Sequence, residues 1–236
     1  MSEERRQWVC ATLDVEGGER VAGSPTRPVS MGMAAKKKLW KPDSVLRVRF
    51  LEGSPALHDR VLQAASAWLV EGVKLRFAPA QRGEPAPIRI AFDPDRGSWS
   101  YIGTDCRGIH PSQPTMNLGW ATLDTPEHDF YSVVIHEFGH ALGLLHEHNH
   151  PEALIQWNRA AVYADLEGPP NNWDRDKIDH NVFARFDAST VITTDFDKAS
   201  VMIYTIPSHW TLDGKSFMPS WKLSEGDVET IRKLYS

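Results

Sequence analysis

The chain has 236 residues, 41% of them hydrophobic and 24% charged, with a formal net charge of -5. That is room for one good-sized domain, or two small ones sharing a cleft. No apolar run approaches the roughly 18 residues of a membrane helix, and the acidic balance excludes the basic stripe of a dedicated nucleic-acid binder.

Residues 1–40 carry Gly17-Gly18, Gly23-Ser24-Pro25, Pro28 and the run Lys36-Lys37-Lys38, with few large apolar side chains. They read as a loosely ordered extension or a pro-segment, the lysines being solvated. The opening MSEERRQWVC lacks the apolar core of a secretory signal. The expectation is a chain cytoplasmic as synthesised, with leaderless export or a secreted processed form as the other options.

From Val45 the patterns sharpen into residues 41–236, a single domain. Val45–Leu51 nearly alternates apolar and basic residues and predicts a strand. Ser54-Pro55 is an N-cap followed by proline at the first helical position, and Leu57, Val61, Ala64, Ala65, Trp68 and Leu69 continue it as an apolar stripe. Val73–Phe77 and Pro87–Phe92 predict two more strands, and Tyr101–Gly103 and Thr115–Trp120 two shorter ones. A long helix is expected from about Pro126 to Leu142. The last third is irregular until Leu223-Ser224-Glu225-Gly226-Asp227 caps a helix through Ile231, Leu234 and Tyr235.

Ten histidines are the compositional feature that points to chemistry, and three of them share one segment, His136-Glu137-Phe138-Gly139-His140-Ala141-Leu142-Gly143-Leu144-Leu145-His146. Residues four apart lie on one helical face, so His136 and His140 can present two imidazoles to one ion. Glu137 lies off that face, placed to reach a metal-bound water as general base. An unbroken helix would carry His146 ~240° around from His140 at ~100° per residue. The third histidine joins only if the helix stops first, and Gly143 suits the left-handed residue that ends helices. Three nitrogens with an open position are the arrangement of a catalytic zinc.

HExxHxxGxxH is the signature of the metzincin clan of zinc endopeptidases, and this segment resembles it at every fixed position. Ser200-Val201-Met202-Ile203-Tyr204 is similar to the clan's Met-turn, with Met202 beneath the zinc. Two residues resemble the astacin family. Glu147 directly follows the third histidine, and Tyr204 stands two residues after the methionine, where astacins carry a tyrosine that ligates zinc as a fifth ligand and swings to stabilise the transition state. Other features depart from that family: Ile203 replaces its histidine, Cys10 and Cys106 cannot build its paired disulfides, and the C-terminal segment is closer to a matrixin.

The resemblance implies an α+β zincin fold. An upper lobe (41–143) would hold a twisted mixed sheet and the active-site helix. An irregular lower lobe (144–236) would carry His146, the Met-turn and the C-terminal helix. It implies a monomeric hydrolase with one Zn2+, acting on peptides or proteins, while the acidic charge and the short apolar runs predict no nucleic-acid or membrane partner. Met116, Asn117, Leu118, Gly119 and Trp120 are expected to form the edge strand that pairs with substrate, and Ile206 and Pro207 to shape the pocket beyond the cut. The alternatives are a latent zymogen or effector, or a zinc-stabilised peptide-binding module without activity.

Weaker signals remain. His148 and His150 follow closely on His146, but an exposed His-rich turn needs no second metal. Cys10 resembles the thiol with which matrixin pro-segments block zinc, without that family's surrounding motif, and whether it bridges to Cys106 stays open. Asp93-Pro94-Asp95-Arg96-Gly97 is a candidate calcium loop that reads equally as an ordinary turn.

Overall fold

A computed structural model of the chain describes residues 11–13, 34–169, 171–185, 192 and 195–236. Its frame is a sheet of six strands: β1 (Ala11–Leu13), β2 (Ser44–Phe50), β3 (Leu75–Pro79), β4 (Ile88–Ala91), β5 (Ser98–Tyr101) and β6 (Met116–Leu118), in the order β1-β5-β6-β4-β2-β3. All neighbours run parallel except β5 and β6, which pair antiparallel with Trp99 opposite Asn117.

Parallel neighbours need a crossover, and α1 (Pro55–Ala65) supplies it between β2 and β3. Ser54 Oγ accepts from Leu57 N at 3.3 Å, as its N-cap position demands. Leu57, Val61, Ala64, Ala65 and Trp68 are buried together with Leu46 and Val48 of β2, Ile88 and Ile90 of β4, and Met116 and Leu118 of β6. Helix α2 (Glu127–Ala141) crosses this core through Phe130, Val134, Ile135 and Phe138. Trp68, wholly buried in the short 3-10 turn (Ser66–Trp68) that follows α1, donates its indole N–H to Ile135 O at 2.8 Å and so ties that turn to α2.

The lower region has its own core, built from Val162 and Leu166 of α3 (Arg159–Leu166), Ile178 of α4 (Arg175–Ile178), and Trp173, Val182, Tyr204, Ile206 and Trp210. Helix α4 runs on into a wide π turn over Asp179–Phe183. The last helix, α5 (Glu225–Tyr235), starts with the expected capping box between Ser224 and Asp227. Its Ile231 and Tyr235 enter the upper core, and Tyr235 Oη donates to Leu142 O at 2.5 Å.

Two expectations are corrected. The domain begins before residue 41: Ala34, Ala35 and Trp40 are buried, Ala34 bridges Leu144, and Trp40 Nε1 donates to Ala141 O at 2.8 Å. Strand β6 is no edge either, because β5 turns back antiparallel on one side of it while β4 pairs on the other. The outer edge of β5 is the one that faces away from β6, and Ala11–Leu13 lie along it in parallel register. Cys10 falls outside the described residues.

Candidate metal centre

The three histidines converge as the spacing requires. His136 and His140 stand one turn apart on α2, which ends at Ala141 with Leu142 as its C-cap. Gly143 takes the left-handed φ of 94°, while Leu144 N donates to Gly139 O at 3.0 Å and Gly143 N to His140 O at 2.8 Å. These two bonds form a Schellman motif. The reversal brings His146 back, so that His140 Nε2 lies 3.2 Å from His136 Nε2 and 3.1 Å from His146 Nε2.

The donor set fits a zinc ion. His136 Nδ1 faces Val201 O at 2.8 Å and His140 Nδ1 faces Leu144 O at 2.9 Å. A carbonyl oxygen can only accept, so these Nδ1 atoms carry the protons and the Nε2 lone pairs point at one another. Zn–N bonds of about 2.0–2.1 Å in tetrahedral array place nitrogens about 3.3 Å apart, close to the spacing found. Burial lowers the His136 pKa to about 4, and burial, then neighbouring histidines, holds His140 and His146 well below the ordinary value. Neutral imidazoles are the ligand form of histidine. His136, His140 and His146 are the group of metal-competent side chains found among the described residues.

Beside them lies the turn around Met202. Gly139 has no room for a side chain: a Cβ there would overlap Met202 Sδ and crowd Trp68. Met202 O accepts from Glu147 N at 3.0 Å, which joins this turn to the residue after the third ligand. Tyr204, buried, sets its ring 4.2 Å from that of His146 and 6.4 Å from that of His136. Glu137 is fully buried on the helix that bears the first two ligands.

Met116, Asn117 and Leu118 are fully buried inside the sheet, and Asn117 Nδ2 donates to Asp93 O at 2.8 Å and to Gly97 O. Those bonds and Asp93 Oδ1, which accepts from Asp95 N at 3.0 Å, close the 93–97 loop as a turn. Gly119 is packed against backbone oxygens of Asp93 and Gly97, and Trp120 is half-buried. Ile206 belongs to the lower core, pairing its backbone with Phe217 at 2.9 Å, while Pro207 is half-buried at the next turn. Cys106 is a free buried thiol, which burial pushes up to about 12.

The turn after His146 is buried where an exposed one was expected. His148 donates Nε2–H to Asn181 O at 2.9 Å, and His150 Nδ1 accepts from Glu152 N at 3.0 Å. The His148 ring also lies 4.2 Å from that of Tyr204. Its fit between ligand and tyrosine is a tertiary fact, with no local periodicity to announce it. Glu147 Oε1 accepts from Asp197 N at 2.7 Å, and burial pushes the carboxyl up to about 8.

A mixed sheet above a helix bearing two of three convergent histidines, with the third delivered by a glycine turn, defines a zinc metallopeptidase of the metzincin type. The family model for the astacin peptidases matches residues 32–236. One solved structure of myroilysin is 35% identical, covering 86% of this chain and 97% of that one, with a TM-score of 0.81. A second myroilysin crystal structure is 31% identical over 99% of this chain and 93% of that one, with a TM-score of 0.69. High choriolytic enzyme 1, a hatching-enzyme zinc-protease of the medaka fish Oryzias latipes, is 18% identical over 88% and 98%, with a TM-score of 0.58, a likeness of fold alone.

The chain belongs to the astacin family and is a zinc metalloendopeptidase acting on peptides or proteins.

Proposed function

We propose that Glu137 and Tyr204 handle the protons of peptide-bond hydrolysis, and that the substrate backbone lies along the outer edge of β5. The observation that carries this reading is the convergence of three buried Nε2 lone pairs beside the helix position of Glu137. His136, His140 and His146 would hold the zinc ion, which when bound would supply Lewis-acid chemistry, lowering the pKa of a water toward neutrality and polarising the scissile carbonyl.

The Glu137 carboxylate takes the proton of the attacking water and returns it to the leaving amine. The Tyr204 hydroxyl donates to the carbonyl oxygen as charge grows on it, and would be available as a further ligand when zinc is bound. Met202 supports the ligands from below, and Ile206 and Pro207 wall the site beyond the cut. The presence of Glu137 and Tyr204 beside the ligands speaks against a binding module without activity. One chain supplies every group in this scheme, which supports action as a monomer.

An extended peptide gains backbone hydrogen bonds by adding to a sheet edge. Residues 11–13 hold the edge of β5 that is not paired with β6. Residues 1–33 therefore act as a pro-segment that must leave before a substrate pairs there.

Incubating a peptide library with the full chain, with Glu137→Ala and with a form lacking residues 1–33, and reading products by mass spectrometry, tests both parts. Cleavage is expected to fall about 10²–10⁴-fold in Glu137→Ala, the range for losing a general base, and to rise on truncation. Wild-type cleavage rates from Glu137→Ala would sink the proton-transfer role. No gain on truncation would sink the pro-segment.

A further inference from the structure

We infer that Asp227 and Ser200 tune the zinc ligand His136 through one line of hydrogen bonds that crosses the Met-turn. His136 donates Nδ1–H to Val201 O at 2.8 Å. The same peptide group presents Met202 N–H on its other side, and this donates to Ser200 Oγ at 3.0 Å. Ser200 Oγ, having accepted there, turns its own proton to Asp227 Oδ1 at 2.6 Å. Every donor in the line points the same way, from the imidazole toward the carboxylate. The inference rests on His136 being a zinc ligand and adds to it a cause of that ligand's strength.

The physical reason is polarisation. A hydrogen bond accepted by an ionised group is shorter and stronger than a neutral one, and bonds in a chain strengthen one another where water is excluded. Ser200, Val201, Met202 and Asp227 are all buried. The carboxylate draws the serine proton, so Oγ becomes a better acceptor for Met202 N–H. The peptide oxygen of Val201 gains negative charge, and pulls harder on the His136 proton. Nε2 is then the more basic donor to the metal, as outer partners of ligating histidines generally make it.

Asp227 is fixed for this task from two sides. Its Oδ2 accepts from Val201 N and from Ser224 N, both at 3.0 Å, so the carboxylate grips the Met-turn and caps its own helix with the same two oxygens. Capping alone would need neither Ser200 nor Val201. Ser224 Oγ accepts from Asp227 N at 2.9 Å, and stands outside the line to His136. His140 offers the internal reference, since its Nδ1 proton goes to Leu144 O at the end of α2.

The test measures zinc affinity by chelator competition on the full chain, together with the Nδ1 proton resonances of the zinc-bound histidines by NMR. Asp227→Asn and Ser200→Ala are expected to weaken zinc binding about 10–100-fold, the usual effect of losing an outer-shell partner. They should also move the His136 Nδ1 proton upfield and leave that of His140 in place. Ser224→Ala should lower the melting temperature while keeping zinc affinity and both resonances at wild-type values.

Zinc affinity and the His136 resonance unchanged in both Asp227→Asn and Ser200→Ala would overturn the inference, leaving Asp227 a clamp only. Equal loss of affinity in Ser224→Ala would overturn it too, as a general loosening of the helix start. Should Asp227→Asn fail to fold, Ser200→Ala decides alone. If zinc added to the wild type shifts none of His136, His140 and His146, the metal-site reading falls first. If it shifts all three and the variants match it, only the relay falls.

Discussion

The upper and lower parts of the molecule reach their order by different means. Above, β2, β4 and β6 and the helices α1 and α2 bury large aliphatic and aromatic side chains in one layer on another. Hydrogen bonds there run mostly between neighbouring strands and along the helices. Below, shorter helices surround a smaller core, and polar side chains fasten one loop to the next. Asn149 Nδ2 donates to Ala184 O at 2.7 Å, Arg185 to Ala153 O at 2.6 Å, and the Trp210 indole N–H to Asp165 at 2.7 Å. Side-chain clamps of this kind position groups without periodic packing. The lesson is that the site spans both regimes: Met202 packs in the upper core and Tyr204, two residues on, in the lower.

The sharpest way to separate the two contributions is at the chemistry. Glu137→Gln removes the proposed base from the upper helix, and kcat/KM is expected to fall about 10²–10⁴-fold with zinc content unchanged. Tyr204→Phe removes the lower region's hydroxyl, and kcat is expected to fall about 10²–10³-fold, the cost of an oxyanion donor, with little change in KM. A Tyr204→Phe enzyme at wild-type kcat would confine catalysis to the upper part.

Acid tests the ligand cluster where the regions meet. In the metal-free protein, burial lowers the His136 pKa to about 4 and the His148 pKa to about 3. The unfolded chain, with histidines near ~6.5, binds more protons in this range. Stability is therefore expected to be full above that value and to fall as pH drops from about 7 to 4, which thermal unfolding across pH would show. A flat profile would mean that these histidines are hydrated in the fold.

Gly139→Ala forces a methyl group against Met202 and Trp68 at the point where α2 meets the turn around Met202. Overpacking of this kind costs about 1–3 kcal/mol, read as a lowered denaturation midpoint. The smallest effect is expected at Arg159→Ala, in the lower region. Its 2.7 Å pair with Asp179 has both side chains about half exposed, so solvent screening keeps the loss below about 1 kcal/mol. A larger loss would show that the Arg159 guanidinium, 4.0 Å over Phe183, matters as packing more than as charge.

This contrast also explains what could be read from the residues alone. The alternation at Val45–Leu51, the cap at Ser54 and the stripe from Leu57 to Trp68 each announce an element whose buried face is periodic. The three histidines were legible because helical spacing and one glycine suffice to bring them together. Helices α3 and α4 were not, since α3 buries only Val162 and Leu166 and α4 is four residues long. Strand β1 has three residues and exists through its pairing with β5. Met116–Trp120 reads as an edge from the sequence and its strand β6 lies inside the sheet, because which strand ends a sheet depends on where β5 folds back. Asp227 could be seen as a helix cap, but its hold on Ser200 spans 27 residues and has no local signature.

The buried bridge between Ala34 and Leu144 bears on how the chain can be shortened. Ala35 N donates to Gly143 O at 3.2 Å, and the backbone oxygen of Lys38 leaves no space for a side chain at Gly103. Those contacts brace the reversal that delivers the third ligand. Trimming from the front thus meets a natural stop near residue 34: a cut ahead of it sheds the cover from β5, and one behind it would unpin His146.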